Sequence, residues 1–327
     1  MKVEEGDSSS SKLLALSTPL LKLTSLRKLL NLDGAAVYLK YEGYNPTGTH
    51  KDRAALAHVG EAVLNGYDTV TVGTCGNYGV AVAYYARLAG LRAVIFVPKG
   101  YSNSRVPEMK RYGARVVEVE GPYEDAVAVS VSSARANGWY DANPGSVNDH
   151  VSIEAYSLIA REIVRQLGDA PAVVAVPVGN GTTLVGIYHG FYRLYRAGET
   201  TRIPRMVAAS TSNANQLVYS WSRGSTEPLP VEVSEVRETP VNEPLVAIRS
   251  LNAEEALRAI YASKGAAFGF SDSEMVEMSI LLRAFEGVSA LPASASALLA
   301  VREYLKANEV DGPVVAVITG RWRREKR

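Results

Sequence analysis

The chain is 327 residues long, with 35 Lys and Arg against 34 Asp and Glu, a formal net charge of +1. Charges so balanced set up no broad field for nucleic acid or an anionic membrane surface, which leaves a small-molecule ligand as the expectation. A single cysteine, Cys75, excludes an intramolecular disulfide or a thiolate-cluster metal site and fits a reducing cytosol.

The elements follow one another in a regular rhythm. After a polar, acidic start (MKVEEGDSSSSK) with no apolar core, which reads as a soluble tail, residues Ala35 to Tyr41 alternate as a half-buried strand. Asn45, Pro46 and Gly48 make a turn, and from Lys51 the pattern KDRAALAHVGEAVLNG becomes helical, ending at Gly66. Next come strand Thr69 to Gly73, helix GVAVAYYARLAG, strand RAVIFVP, a helix through Met109, strand ARVVEVEG and a helix from Tyr123 to Asn137. The stretch Asp141 to Asp149 is dense in turn residues and marks a boundary. A second run has helix Ser152 to Leu167, strand Ala172 to Val178, helix Thr183 to Ala197 and strand Met206 to Ser210. Helices over 252–263, 272–286 and 293–308 and the strand PVVAVIT complete it, and Ser222 to Glu243, rich in Pro, Glu and Ser, reads as an excursion.

Short apolar strands alternating with helices predict an α/β fold with open, mostly parallel sheets. A chain of this length exceeds what one core usually holds. Residues 55–148 are therefore expected to form a smaller domain, with 1–54 and 149–327 forming a larger one. His50, His58, His150 and His189 lack metal-ligand spacing, and no apolar run reaches the roughly twenty residues of a membrane helix. Glutamine occurs only at Gln166 and Gln216, a weak sign of a thermophilic source.

Several loops fall where open sheets place ligands, at the carboxyl ends of strands. Lys51 stands at a strand-to-helix junction. Thr74, Cys75, Gly76, Asn77 and Tyr78 form a βα turn whose amides suit a carboxylate or phosphate. Gly179, Asn180, Gly181, Thr182 and Thr183 follow an apolar strand at a helix start and have the composition of a phosphate cradle. LPASASALLAV (Leu291 to Val301) is a small-residue helix start that allows close approach of a flat ligand, and Thr319 ends a buried strand. The glycine spacings match neither the dinucleotide nor the P-loop pattern, which disfavours a dehydrogenase or an NTPase. A lysine, a phosphate cradle and a carboxylate-sized loop together meet the needs of pyridoxal phosphate chemistry.

With those residues in view, Tyr41 to Arg53 (YEGYNPTGTHKDR) resembles the NPTGSFKDR segment of the threonine synthase branch of the fold type II (tryptophan synthase β-like) pyridoxal-phosphate enzymes. The resemblance also takes in Thr18, Pro19 and Leu20, then GTCGNYG, PVGNGTT, EGVSALPASASA and the late TG. It implies a homodimeric, cytoplasmic lyase in which Lys51 carries the cofactor as a Schiff base and Asn77 donates to the cofactor's 3′ oxygen. Gly179, Asn180, Gly181, Thr182 and Thr183 would bind its phosphate, and Thr319 its pyridine nitrogen. Thr74, Cys75, Gly76 and Tyr78 would bind the substrate carboxylate. The implied reaction turns O-phosphohomoserine and water into threonine and phosphate; a serine or threonine dehydratase, an O-phosphoserine-type cysteine synthase and a non-catalytic binding paralogue stay open. The chain departs from the family at His50, Thr49 and Leu291, and PGSVNDHVSIEAYSL stands where NSVNPxRxEGQKT is expected. Neither the arginine nor the lysine of that stretch is present, which leaves Arg53, Lys99, Arg105 and His150 as candidates to meet a substrate phosphate.

Overall fold

A computed structural model describes residues 17–322 apart from 33, 75, 101–104, 122, 213 and 233–235. The acidic N-terminal stretch, Cys75 and most of the basic C-terminal run therefore lie outside the described residues.

The chain opens with β1 (Leu20–Lys22), α1 (Ser25–Leu29) and β2 (Val37–Tyr41). After a turn come α2 (Lys51–Leu64), β3 (Thr69–Gly73), α3 (Asn77–Leu88), β4 (Arg92–Pro98), α4 (Val106–Arg111), β5 (Arg115–Val119), α5 (Tyr123–Asn137) and β6 (Tyr140–Asp141). The rest comprises α6 (Asp149–Leu167), β7 (Val173–Pro177), α7 (Thr182–Arg196), β8 (Arg205–Thr211), α8 (Gln216–Ser222), α9 (Ala253–Ala262), β9 (Ala266–Phe270), α10 (Asp272–Glu286), α11 (Pro292–Ala307) and β10 (Val314–Ile318). Local chemistry explains several boundaries. Gly168 closes α6 in the left-handed conformation, Ser271 and Glu274 form a capping box at the start of α10, and Pro292 takes the first turn of α11.

Among the described residues the strands form two sheets. One runs β1-β2-β10-β7-β8-β9, parallel except for β1 against β2; the other, β5-β4-β3-β6, is parallel throughout. The central strands are buried on both faces, as continuous apolar runs such as VVAVP and VVAVI require. Alternation divides each strand between two cores: Val315 and Val317 of β10 pack with Ile159, Leu184 and Ile187 on the α6 and α7 side. Val314, Ala316 and Ile318 pack with Leu298 and Val301 of α11 on the other.

The contact between α6 and α7 depends on glycine. A Cβ on Gly186 would stand 2.6 Å from Ile153 O, so the two backbones meet where no side chain fits. Close packing there holds the first turns of both helices at one end of the large sheet.

Candidate active site

Strand order creates the site. β10 pairs with β2 on one side and β7 on the other, so the segments leaving the carboxyl ends of three adjacent strands are neighbours. These segments carry Lys51, Thr319 and the Gly179–Thr183 loop. Their ends are also hydrogen-bonded together: His50 N–H donates to Thr319 O at 2.8 Å, and Arg321 N–H to Gly48 O at 2.9 Å. Asp52 fixes the turn from inside, accepting from Thr47 N at 2.9 Å, Thr47 Oγ1 at 2.6 Å and Tyr85 OH at 3.1 Å.

A cleft of about 900 Å³, counting its mouth open to solvent, is lined by Lys51, His50, Asn77, Tyr78, all five residues Gly179–Thr183 and Thr319. Of the residues singled out in the sequence, Lys51, Asn77, Tyr78, Gly179–Thr183 and Thr319 thus line one cavity. Lys51 Nζ lies 5.8 Å from the Tyr78 ring centre and 5.9 Å from that of Tyr156. Among the described residues no carboxylate comes within ion-pair distance of it. Burial lowers the Lys51 ammonium to about 8, against the opposing charges of Glu243 and Asp149. An amine of that basicity is in part unprotonated near neutrality, as a nucleophile toward an aldehyde must be.

Opposite Lys51 stands the start of α7. Gly181 adopts φ +88°, and the first intrahelical bond is Val185 N–H to Gly181 O at 3.0 Å. The amides before Val185 therefore have no partner inside the helix and add to the positive end of its dipole, a ready site for a phosphate. Thr182 Oγ1 is held by Asn252 Oδ1 at 2.6 Å, and the Asn180 carbonyl accepts from Asn252 N at 2.9 Å. Asn252 thereby fixes the cradle from behind.

At the end of β10, Thr319 Oγ1 lies 2.8 Å from Ser294 Oγ, and both line the cleft with Leu291 and Ala293 from the start of α11. His50 stays neutral: burial and then the nearby Lys51 charge push its imidazole well below the ordinary value. Its Nδ1 lies 3.2 Å from Thr319 O. Asn77 Oδ1 accepts a hydrogen bond from Arg105 Nη1, whose Nη2 lies 3.5 Å from Thr47 O.

The βα loop after β3 is divided. Tyr78 lines the cleft, but its hydroxyl donates to Ala142 O at 2.9 Å, so its ring forms a wall. Thr74 and Gly76 do not line the cleft: Thr74 N–H donates to Phe96 O at 2.9 Å and Thr74 Oγ1 accepts from Gly76 N at 3.2 Å, and Cys75 is outside the described residues. Of the four cations considered for a substrate phosphate, Arg53 is committed elsewhere: it is buried and pairs with Glu42 and Glu162 at 2.7 Å each. Lys99 pairs with Glu120 at an exposed position, and His150 is exposed. Arg105 alone bonds a side chain of the cleft.

Ser152 and Tyr156 of α6, and Pro244 and Leu245 after the excursion, also line the cleft. The one sequence signal for the α6 pair is its four-residue spacing, which puts both on one face of the helix.

A family model described as pyridoxal-phosphate dependent enzyme matches residues 12–320. The chain belongs to that family. It is 31% identical over 310 residues to the threonine synthase of Methanocaldococcus jannaschii, covering 93% of this chain and 74% of that one. With the threonine synthase of Halalkalibacterium halodurans identity is 32% over 310 residues, covering 93% and 81%. Among solved structures, maize serine racemase superposes with a TM-score of 0.76 at 20% identity, covering 94% of this chain and 90% of that one. Threonine deaminase isoform 2 of Solanum lycopersicum gives 0.74 at 20%, covering 96% and 86%. These structures share the fold type II architecture, and the enzyme is pyridoxal-phosphate dependent. The cleft fits the cofactor by its own chemistry: one amine of lowered basicity, one helix start with free amides, and a pair of neutral hydroxyls, Thr319 and Ser294, able to meet a ring nitrogen. Among the described residues no cluster of three or more metal-ligating side chains occurs, and no helix is long and apolar enough to cross a membrane.

Proposed function

We propose that the chain is a threonine synthase, converting O-phosphohomoserine and water into threonine and phosphate by γ-elimination and β-replacement. The observation that carries the reading is Lys51: an ammonium of lowered basicity, unpaired by any described carboxylate, in one cleft with the amides of Gly179–Thr183. Curated relatives covering 93% of the chain are threonine synthases, which supports the same reaction.

Pyridoxal phosphate, when bound, supplies an aldehyde for an amino group and a conjugated ring that accepts electron density from the adjacent carbon. In this reading Lys51 Nζ would hold the cofactor covalently and, as a free amine, would be the base that takes the proton from the substrate's Cα. The Gly179–Thr183 amides would hold the phosphate ester, Asn77 the ring oxygen, and Thr319 the ring nitrogen. Because Thr319 and Ser294 are neutral hydroxyls, they would not keep that nitrogen protonated as a carboxylate would. In this reading the loop Thr74–Tyr78 would meet the substrate carboxylate, with the Asn77 and Tyr78 amides, which precede the first intrahelical bond of α3 (Val80 N–H to Gly76 O), as donors, and the Tyr78 and Tyr156 rings would keep water from Nζ. Both phenols are raised by burial above their ordinary values and stay neutral at working pH. Residues 55–148 serve as the mobile unit closing over the substrate, and a cytoplasmic homodimer is the assembly that fits. Comparing ligand-free with ligand-bound crystals tests the closure, and sedimentation tests the dimer.

One observation favours a second reading. Among the described residues Lys51 is the sole lysine or arginine lining the cleft, and a dehydratase acting on serine or threonine would need no cation for its leaving group. Purified enzyme given O-phosphohomoserine, O-phosphoserine, serine and threonine, with phosphate, ammonia and amino acids assayed, separates the two. Threonine and equimolar phosphate from O-phosphohomoserine support the proposal. Ammonia from serine or threonine with no threonine from O-phosphohomoserine overturns it.

A further inference from the structure

His58 is fully buried, and nothing in the reaction described above uses it. It sits seven residues after Lys51 on α2, two turns along the same face and about 10 Å further down the helix. Its Nε2 lies 2.9 Å from Ser152 Oγ on α6, and its Nδ1 3.1 Å from Tyr140 OH on β6. Ser152 is 6% exposed and lines the cleft one turn from Tyr156. The Tyr78 ring, on the other side, has its centre 6.4 Å from that of His58. Three polar groups thus run in line from the cleft wall into the interior.

The direction of the hydrogen bonds along this line can be argued. Burial, then the charge of His150, depresses the His58 imidazole to about 3, so the ring is neutral and carries one N–H. A phenol is a far stronger acid than an alcohol, so Tyr140 is the better donor and its O–H donates a hydrogen bond to Nδ1. The ring proton then sits on Nε2 and is donated to Ser152 Oγ. Among the described residues Ser152 Oγ has no other partner, so its own O–H is left to donate into the cleft.

We propose that Ser152 is a substrate-binding residue whose hydroxyl, oriented by His58 and Tyr140, donates to the anionic group at the far end of the substrate side chain. Resting on the threonine synthase reading, this group is the phosphate carried on Cγ. Neutral donors then do at this wall what a cation does elsewhere, and His58 and Tyr140 are positioning residues that act through Ser152.

The test uses holoenzyme and two ligands that cannot react at Cγ: a phosphonate analogue of O-phosphohomoserine with methylene in place of the ester oxygen, and norvaline, which lacks the anionic group. Calorimetric titration gives the ratio of their affinities. Losing one hydrogen bond to a charged group should cut that ratio about ten- to a hundredfold in Ser152→Ala, while norvaline binds as before. His58→Ala and Tyr140→Phe should cut it less, and His58→Gln, which keeps an N–H donor, should restore part of the loss. A merely structural triad would lower the thermal midpoint and weaken both ligands equally, leaving the ratio unchanged; that result overturns the proposal. Turnover of O-phosphohomoserine by the native enzyme is scored separately. A native enzyme that makes threonine while Ser152→Ala keeps the native ratio refutes the Ser152 assignment alone, and a native enzyme that makes none refutes the reaction.

Discussion

Two residues beyond Lys51, Arg53 joins a buried set of charges whose removal one at a time should be far more damaging than removal in pairs. Lys40 and Glu42 are fully buried, and Arg53 and Glu162 are 4% and 6% exposed. Arg53 grips Glu42 through Nε at 2.7 Å and Nη2 at 2.8 Å, and Glu162 through Nη1 at 2.7 Å. Glu162 also accepts from Lys40 Nζ at 2.6 Å. Two cations face two anions, so the set is neutral. Burial alone would push the Glu162 carboxyl up, but the hydrogen bonds and charge of Arg53, with Lys40, hold it below the usual range. In Glu162→Gln one positive charge is left uncompensated in the interior, at an expected cost of about 3–5 kcal/mol, or on the order of 10 °C in midpoint. In Lys40→Met/Glu162→Gln the bidentate Arg53–Glu42 pair remains and is neutral, so the double variant should recover most of that loss. Burial already lowers the Lys40 ammonium below its ordinary value, and loss of Glu162 removes the charge that opposes this. The unfolded chain then binds more protons than the folded one as pH rises toward about 10.5, so the single variant's deficit should shrink in that direction. Denaturant melts of holoenzyme at neutral and alkaline pH measure both effects. A single variant within about 1 kcal/mol of native, or a double variant no better than the single, would refute the argument.

Two further outcomes follow from the cleft. With Lys51 lowered to about 8 by burial, against Glu243 and Asp149, apoprotein should take up pyridoxal phosphate at a rate that rises with pH and levels off above that value. Asp149→Asn should move the curve to lower pH; stopped-flow absorbance reads it, and a flat profile from about pH 6 to 9 contradicts it. Gly181→Ala places a Cβ at φ +88° and 3.0 Å from Asn252 O, so the cradle must shift or strain by about 1–2 kcal/mol. Cofactor affinity, measured by equilibrium dialysis, should fall roughly tenfold, and unchanged affinity would show that the loop does not hold the phosphate.

Much of the fold was legible because its strands are apolar runs of five to seven residues between turn residues, as VVAVP, RAVIFVP and VVAVI are. The elements that escaped are those with weak local signals. β6 has two residues, Tyr140 and Asp141, and β1 has three. β9, AAFGF, carries a glycine as its fourth residue and owes its state to pairing with β8.

The site divides along the same line. Thr319 and Gly179–Thr183 lie next to strand ends and Lys51 opens the helix that follows β2 and its turn, so chemistry and position can be read together. Their meeting depends on the order β2-β10-β7, which joins strands far apart in the chain and has no local signature. Arg53 shows the converse, since its charge suggested a ligand whereas α6 supplies its partner, Glu162, 109 residues away. His58 and Ser152 lie beyond sequence reading for the same reason. Neither stands at a strand end, and each acquires a chemical role through the packing of α2 against α6. A histidine seven residues after Lys51 is an ordinary helix residue until a second helix brings a hydroxyl to its ring, so the residues that tune this cleft are found by helix packing and those that define it by strand ends.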